Sequence, residues 1–219
     1  VSRAANSFQA PFLSKRIEMN LINQAEALFW DFQILMFTAT LATLVGTLMV
    51  PTVQRLFTRA IHHFHANRSI PKLMMHAFAK GGLGYLKTAV TAPSVEHVKG
   101  LREKSIVSMR MIVLNVMAQC FLALGVFASL YAGFIAPEFR VTALSLSAVI
   151  NGVATILLFV LIDPQLSVMT DDVVEGRVTE GQFRRAVVWM AGSRVLGTAL
   201  AQALLVPAAI LIAEIARVI

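Results

Sequence analysis

One face of the last long apolar run in the chain carries polar side chains at helical spacing. Arg194, Thr198 and Gln202 are four residues apart, so on a helix they project from the same side. A cation in hydrocarbon is costly and is kept where it faces a cavity, pairs with an anion or reaches the membrane surface. Two interpretations of Arg194 therefore stay open. It contacts an anionic ligand in a cavity, or it extends to the interface while Val195–Ala213 crosses the membrane alone.

Three other apolar runs have polar stripes of the same kind. Asn115 and Gln119 share a helix face. The remaining two stripes are Ser147, Asn151 and Thr155, and Gln33, Thr40 and Thr47. Each stripe predicts either the wall of a polar cavity shared by the helices or hydrogen bonds between helices, which contribute about 0.6 kcal/mol each. Both interpretations stay open for the four stripes together.

Small residues at four-residue spacing accompany these stripes. They are Gly125, Ser129 and Gly133 in one run, and Ser193, Gly197 and Ala201 in another. Faces of this kind let helix backbones approach closely inside membranes. They predict tight helix packing.

Acidic side chains lie between the last two apolar runs. Asp171 and Asp172 are candidates for binding a proton or a divalent cation, and so for gating or ion coupling; alternatively they pair with Arg184 and Arg185. The sequence contains no pattern for nucleotide binding, for a serine hydrolase or for a zinc protease. Cys120 is the single cysteine, so no disulfide can form within the chain. We expect no catalytic residue, no metal site and no cofactor.

The composition requires an apolar solvent for much of the chain. Of 219 residues, 57% are hydrophobic and 14% are charged, whereas a soluble domain has about 25% charged residues. A helix needs about 20 apolar residues to cross hydrocarbon. Four runs meet this length, at about 32–50, 111–136, 141–162 and 186–213. We predict an all-α polytopic membrane protein, organised as one helical domain over 1–219 with at least four transmembrane helices.

Basic residues concentrate between the first two spans. Residues 51–110 contain ten Lys and Arg against two Glu, so the positive-inside rule places this segment in the cytoplasm. The turn at 137–140 then faces outward, and 163–185 return to the cytoplasm. Apolar residues at helical spacing predict amphipathic helices in the first cytoplasmic segment, and the first of these helices continues the first span past Pro51. In the second segment we expect a short helix that Asp163 caps and Gly176 ends. Thr179 with Gln182 predicts a capping box before the last span. Topology thus explains the net charge of +7, and we expect no nucleic acid partner.

The N-terminal residues have the pattern of a partial helix. Arg3 and Asn6 share one of its faces, which puts a second cation in or near the membrane. Pro11 is expected to kink or end this helix.

Three blocks of the sequence resemble those of a known family. The blocks are SRAANSFQAPFLSKRIE (Ser2–Glu18), GTLMVPTVQR (Gly46–Arg55) and DPQLSVMTDDVVEGRVTEGQFRRAVVWMAGSRVLGT (Asp163–Thr198). They resemble the Amj family, the alternate lipid II flippases of bacteria. The resemblance extends over nearly the whole chain.

The resemblance implies a flippase that moves lipid II, the undecaprenyl-pyrophosphate-linked peptidoglycan precursor, across the bacterial plasma membrane. We hypothesise that it works by alternating access. The fork of an arginine side chain matches pyrophosphate oxygens. Arg3 and Arg194 are therefore expected to bind that group, and Arg184 and Arg185 to capture the head group at the cytoplasmic mouth. The polar path would be lined by Asn6, Gln9, Asn115, Gln119, Asn151 and Gln202. Expected partners are this lipid and membrane lipids, and a homo-oligomer is compatible with the sequence.

Two other classes of protein stay open at this point. A membrane-embedded enzyme acting on a prenyl pyrophosphate needs a nucleophile or base beside cations, and Asp171 and Asp172 are the plausible pair. A non-catalytic scaffold of a cell-wall complex would tolerate replacement of every stripe residue as long as packing is kept. Product formation by the purified protein would identify the enzyme.

Overall fold

The computed structural model describes residues 11–19, 28–67 and 107–219, and the elements in this part of the chain are helical. The α-helices are α1 (11–19), α2 (Leu28–Asn67), α3 (Met109–Ile135), α4 (Arg140–Ile156), α5 (Asp163–Val174) and α6 (Glu180–Val218). A 3-10 turn, Pro137–Phe139, precedes α4, and a π-helical segment, Leu157–Ile162, follows it. The predicted helices of 68–106 and the N-terminal residues Arg3, Asn6 and Gln9 lie outside the described residues.

The chain divides into two compact units. One combines Val1–Thr43 with Ser105–Ile219, and the other is Leu44–Lys104. The described part of the second unit is the C-terminal part of α2, a continuous helix that ends at Asn67. Its course confirms the prediction that the first span continues as a helix past Pro51. Organisation as one domain stays a prediction.

In the part of the chain that the structure describes, four helices are long and apolar enough to cross a membrane. They are Leu28–Val50, Met109–Ile135, Pro137–Val174 and Gly181–Val218. The fold class predicted from the apolar runs is thus confirmed. Each helix is longer than its apolar run at one end or both, because capping and charged residues outside the hydrocarbon continue the helical backbone.

In the first unit α3 lies between α4 and α6 and packs along both of them. Its most apolar stretch buries 44% of its residues, whereas that of α2 buries 6%. Small residues explain the close approach: a Cβ on Gly197 of α6 would lie 2.6 Å from the Val116 carbonyl oxygen of α3. The predicted small-residue face therefore sets the α3–α6 contact, and α2 is peripheral.

The described residues of this unit form two apolar clusters, at its opposite ends. The cluster at the Pro137 end joins Leu28, Phe32, Phe127 and Ile212 with their neighbours. The cluster at the Met169 end joins Met111, Ile162, Met169 and Met190 with theirs. We use these two residues, Pro137 and Met169, to name the two ends below.

The helix α1 belongs to the Pro137 end. The sequence analysis expected Pro11 to kink or end an N-terminal helix, and residues 11–19 are helical. Leu13 and Ile17 are buried in the apolar cluster there. Arg16 pairs with Asp31 of α2 at 2.8 Å, and the hydrogen bond and charge of Asp31 raise the pKa of Arg16. Glu18 pairs with Arg140 of α4 at 3.2 Å. Apolar burial and two exposed ion pairs thus fasten α1 to the start of two spans.

The third span changes helix type before it ends. The π segment Leu157–Ile162 continues directly into α5, where Pro164 is one of the first residues. A proline ring displaces the carbonyl four residues earlier and offers no N–H to it, and a wider π turn accommodates such a displacement. The expectation that Asp163 caps α5 was wrong, because Ile162 holds the cap position with helical backbone angles and the chain enters α5 without a capping side chain.

A tight turn joins α5 to α6 as the sequence predicted. Gly176 ends the first helix with a φ of 74°, a conformation that glycine adopts without strain. Thr179 and Gln182 then form the predicted capping box at the start of α6. Each end of this turn is therefore hydrogen-bonded.

Candidate functional site

Two of the predicted polar stripes meet where α2 faces α6. The Gln202 side-chain amide donates to Thr40 Oγ1 at 2.5 Å and to the Met36 carbonyl at 3.4 Å. The Gln33 side-chain amide donates in turn to the backbone carbonyl of Gln202 at 3.3 Å. Thr40 Oγ1 also donates to the Met36 carbonyl, at 3.0 Å. We call Gln33, Thr40 and Gln202 the α2–α6 polar contact.

The rest of the α6 stripe is engaged differently. Thr198 donates to the Val195 carbonyl of its own helix at 2.9 Å. Arg194 is exposed, and its guanidinium has no ion pair or hydrogen bond within the described ranges. Gln202 lies two turns further along the same face, about 12 Å away at the rise of an α-helix. The exposed Arg194 thus lies on the same face of α6 as the α2–α6 polar contact, nearer the Met169 end.

The length of the uncharged part of α6 indicates how deep in a membrane Arg194 would lie. The next charged residues toward the C-terminus are Glu214 and Arg217, which pair with each other at 2.5 Å. From Arg194 to Glu214 the helix rises about 30 Å, which equals the thickness of the hydrocarbon core. Val195–Ala213 is therefore long enough to span the core, which would put Arg194 at head-group level at the Met169 end. This favours the interpretation in which Arg194 reaches the interface.

The α3 stripe faces α6 on another side. The Asn115 amide donates to Ser193 Oγ at 2.6 Å and to the Met190 carbonyl at 3.1 Å, and Asn115 is fully buried. Its Oδ1 has no hydrogen-bond partner in the described part of the chain. Gln119, one turn on, packs against Gly197. Residues 193 and 202 project from opposite sides of α6, so the structure does not bring Asn115 and Gln202 together.

The α4 stripe lies against α3. A Cβ added to Gly125 would overlap the Asn151 side-chain amide, so Asn151 fills the space that the glycine leaves. Thr155 donates to the Asn151 carbonyl at 2.7 Å. This stripe therefore contributes to helix packing, apart from the α2–α6 polar contact.

The charged residues between α5 and α6 form a local network. Arg177 pairs with Asp172 at 2.7 Å and also with Glu175. The backbone amides of Arg177 and Val178 donate to the Asp172 carbonyl. Asp172 is thus held by Arg177, a residue that the sequence prediction did not single out. Asp171 is exposed.

Two predicted arginines follow this network. Arg184 is exposed and Arg185 is half-buried near the start of α6, and both have interaction partners. Within the described ranges no three His, Cys, Asp or Glu side chains are close enough to hold a metal ion.

A cleft of about 200 Å³ lies between α1 and α2. Its walls are apolar except for the Arg16–Asp31 pair. The predicted site residues do not line it. In the described part of the chain, the predicted site residues that lie outside this cleft are Asn115, Gln119, Asn151, Asp171, Asp172, Arg184, Arg185, Arg194 and Gln202.

Within the described residues, four helices are long and apolar enough to cross a membrane, and side-chain hydrogen bonds join α6 to α2 and to α3. These features define a polytopic helical membrane protein. The family model "Amj: Alternate to MurJ" matches residues 1–216. The protein "Lipid II flippase Amj" of Bacillus subtilis (strain 168) is 34% identical over 218 residues, which cover 99% of this chain and 81% of that protein. The chain belongs to the Amj family. No solved structure matches it.

Proposed function

We propose that this protein is a lipid II flippase of the bacterial plasma membrane, a transporter rather than an enzyme. It moves the lipid-linked peptidoglycan precursor from the inner to the outer leaflet by alternating access. Membership of the Amj family and the name of the Bacillus subtilis relative support this substrate. The basic segment of residues 51–110 supports placing the Met169 end in the cytoplasm.

The observation that carries the proposal is the α6 face from Arg194 to Gln202. Arg194 is exposed at the level where the pyrophosphate of a membrane lipid lies. A guanidinium binds such a group through two parallel hydrogen bonds, each strengthened by charge. The lipid tail stays in the bilayer while the polar head group follows the stripe from Arg194 past Thr198 toward Gln202.

The other predicted residues complete the proposed path. Arg184 and Arg185 attract the head group at the cytoplasmic mouth, where each basic side chain near the surface contributes about 1 kcal/mol. Asp171 and Asp172 take part in gating or ion coupling, and Arg3 binds pyrophosphate together with Arg194. The further path residues are Asn6, Gln9 and Gln119. Asn115 and Asn151 support the path by holding α3 against α6 and α4.

The test is translocation of labelled lipid II by protein reconstituted in vesicles. Arg194→Gln should lower the initial rate by about 10-fold to 100-fold, because hydrogen bonds to charged groups contribute about 1.5–3 kcal/mol. Arg194→Lys should retain part of the translocation rate, since lysine keeps the positive charge but lacks the two parallel N–H donors of the guanidinium. If Arg194→Gln translocated lipid II at the wild-type rate, Arg194 would not contact the substrate on its path.

The matched control is Arg217→Gln on the same helix. Arg217 is a cation paired with Glu214 beyond the other end of the hydrocarbon core, so its loss should leave the rate unchanged. If no variant and no wild-type protein moved lipid II in this assay, the substrate assignment itself would be wrong.

A further inference from the structure

The α2–α6 polar contact lies in the interior of the membrane. Gln202 is about 12 Å along α6 from Arg194 and about 18 Å from Glu214. Those two residues mark the charged layers at either side of the uncharged stretch Val195–Ala213. The polar stripe of α6 therefore runs from Arg194 to this contact, and the apolar stretch Ala203–Ala213 continues from it toward Glu214.

Every side-chain amide in this contact has a protein partner. Gln202 donates to Thr40, Gln33 donates to the Gln202 carbonyl, and Thr40 donates to Met36. Hydrocarbon offers no replacement for these hydrogen bonds. The two helices therefore stay together unless another polar group takes the place of the partner that each amide loses.

The elements around the contact allow it to open. α2 meets the other spans through long side chains, such as Phe32, whose ring lies edge-on to Phe127 and Tyr131 at 6.1 and 5.7 Å between centroids. On α6, Pro207 lies inside the helix five residues beyond Gln202. A proline there leaves the Ala203 carbonyl without its helical hydrogen-bond donor, so α6 bends more easily at this place.

We propose that Gln33, Thr40 and Gln202 form the gate of the transport path, closed in this structure by hydrogen bonds between α2 and α6. The gate opens when hydroxyl and amide groups of a sugar-peptide head group replace those hydrogen bonds. It selects a head group rich in donors and acceptors, since an apolar one leaves both glutamine amides unpaired. This inference rests on the proposed function and adds Gln33 and Thr40 to the residues that contact substrate.

The gate is tested by distances between spin labels in lipid nanodiscs. Labels at Phe37→Cys and Leu204→Cys, both exposed positions, report the α2–α6 separation in a Cys120→Ala background. Two distance populations are expected. Gln202→Leu should shift them toward the longer distance by about threefold for each interhelical hydrogen bond lost. One population that Gln202→Leu leaves unchanged would overturn the gate.

A control pair reports on helices that should stay together. Labels at Val113→Cys of α3 and Leu196→Cys of α6, also exposed, should give a single population with or without Gln202→Leu. Two populations at this pair as well would mean that the whole bundle rearranges, which would also overturn the proposal.

Cross-linking the same pairs connects the gate to transport. A reducible thiol cross-linker between positions 37 and 204 should abolish lipid II translocation until it is reduced, whereas a cross-link between 113 and 196 should not. Full transport with α2 tied to α6 would overturn the gate. If two populations respond to Gln202→Leu but no lipid II moves in the uncross-linked protein, the gate stands and the proposed substrate is wrong.

Discussion

Asn115 of α3 donates a hydrogen bond of 2.6 Å to Ser193 Oγ of α6, at a place where both side chains are at most 2% exposed. Ser193 in turn donates to the Met190 carbonyl at 2.8 Å, which also accepts from Asn115. The direction of each hydrogen bond follows, because a carbonyl can only accept. The α3–α6 interface thus requires an amide, with its two donors, at position 115.

Replacement of that amide by a carboxyl group tests this requirement. Asn115→Asp removes both donors and places an acceptor against the Met190 carbonyl, so the free energy of unfolding should fall by about 1–3 kcal/mol. Ser193→Ala removes one acceptor and should cost about 0.6 kcal/mol. Unfolding by a denaturing detergent in mixed micelles measures both. Equal stability of Asn115→Asp and the wild-type protein would contradict this account of the interface.

Two glycines of α6 provide a matched pair for the packing of this interface. At Gly197 a Cβ would come within 2.7 Å of Gln119 Cβ as well as close to the Val116 carbonyl, whereas at Gly192 it would meet no atom within 4 Å. Gly197→Ala should destabilise the protein by about 1–3 kcal/mol through overpacking. Gly192→Ala should be neutral or stabilising by about 0.5–1 kcal/mol. The same unfolding measurement decides, and a reversed order would show that α3 and α6 are further apart.

Orientation in the membrane is testable with single cysteines. Glu138→Cys lies in the turn at the Pro137 end, and Val174→Cys lies at the exposed end of α5. In a Cys120→Ala background, a thiol reagent that cannot cross the membrane should label position 138 in intact cells and label position 174 only after lysis. The opposite pattern would place the basic segment outside and reverse the direction of the proposed path.

The spans and the α5–α6 turn were predictable from the sequence because each depends on local information. Apolar length identifies a membrane helix whatever its neighbours are. The capping box at Thr179 and the helix end at Gly176 need only a few consecutive residues. For the same reason the continuation of α2 past Pro51 followed from helical spacing alone.

The arrangement of the polar residues was only partly predictable. Periodicity shows which residues share a face, but not which helix that face meets. Nothing in the sequence therefore indicated that Gln33 and Thr40 contact Gln202 rather than Asn115. The partner of Asp172 was missed because the turn after α5 folds the chain back and brings Arg177 against Asp172. Helical spacing does not predict such a contact. The π segment before Pro164 was missed because a change of helix type leaves no pattern of its own in apolar sequence.

The helix α6 has 39 residues and is therefore about 58 Å long, nearly twice the thickness of the hydrocarbon core. It is one continuous helix, interrupted in stiffness only near Pro207, and its length would carry Arg184 and Arg185 into the water on one side and Arg217 into the water on the other. A force applied to the arginines at its first turns is transmitted to the far surface unless Pro207 bends. Capture of a ligand by Arg184 and Arg185, as proposed above, would thereby be mechanically connected to the shape of the protein on the other side of the cell membrane.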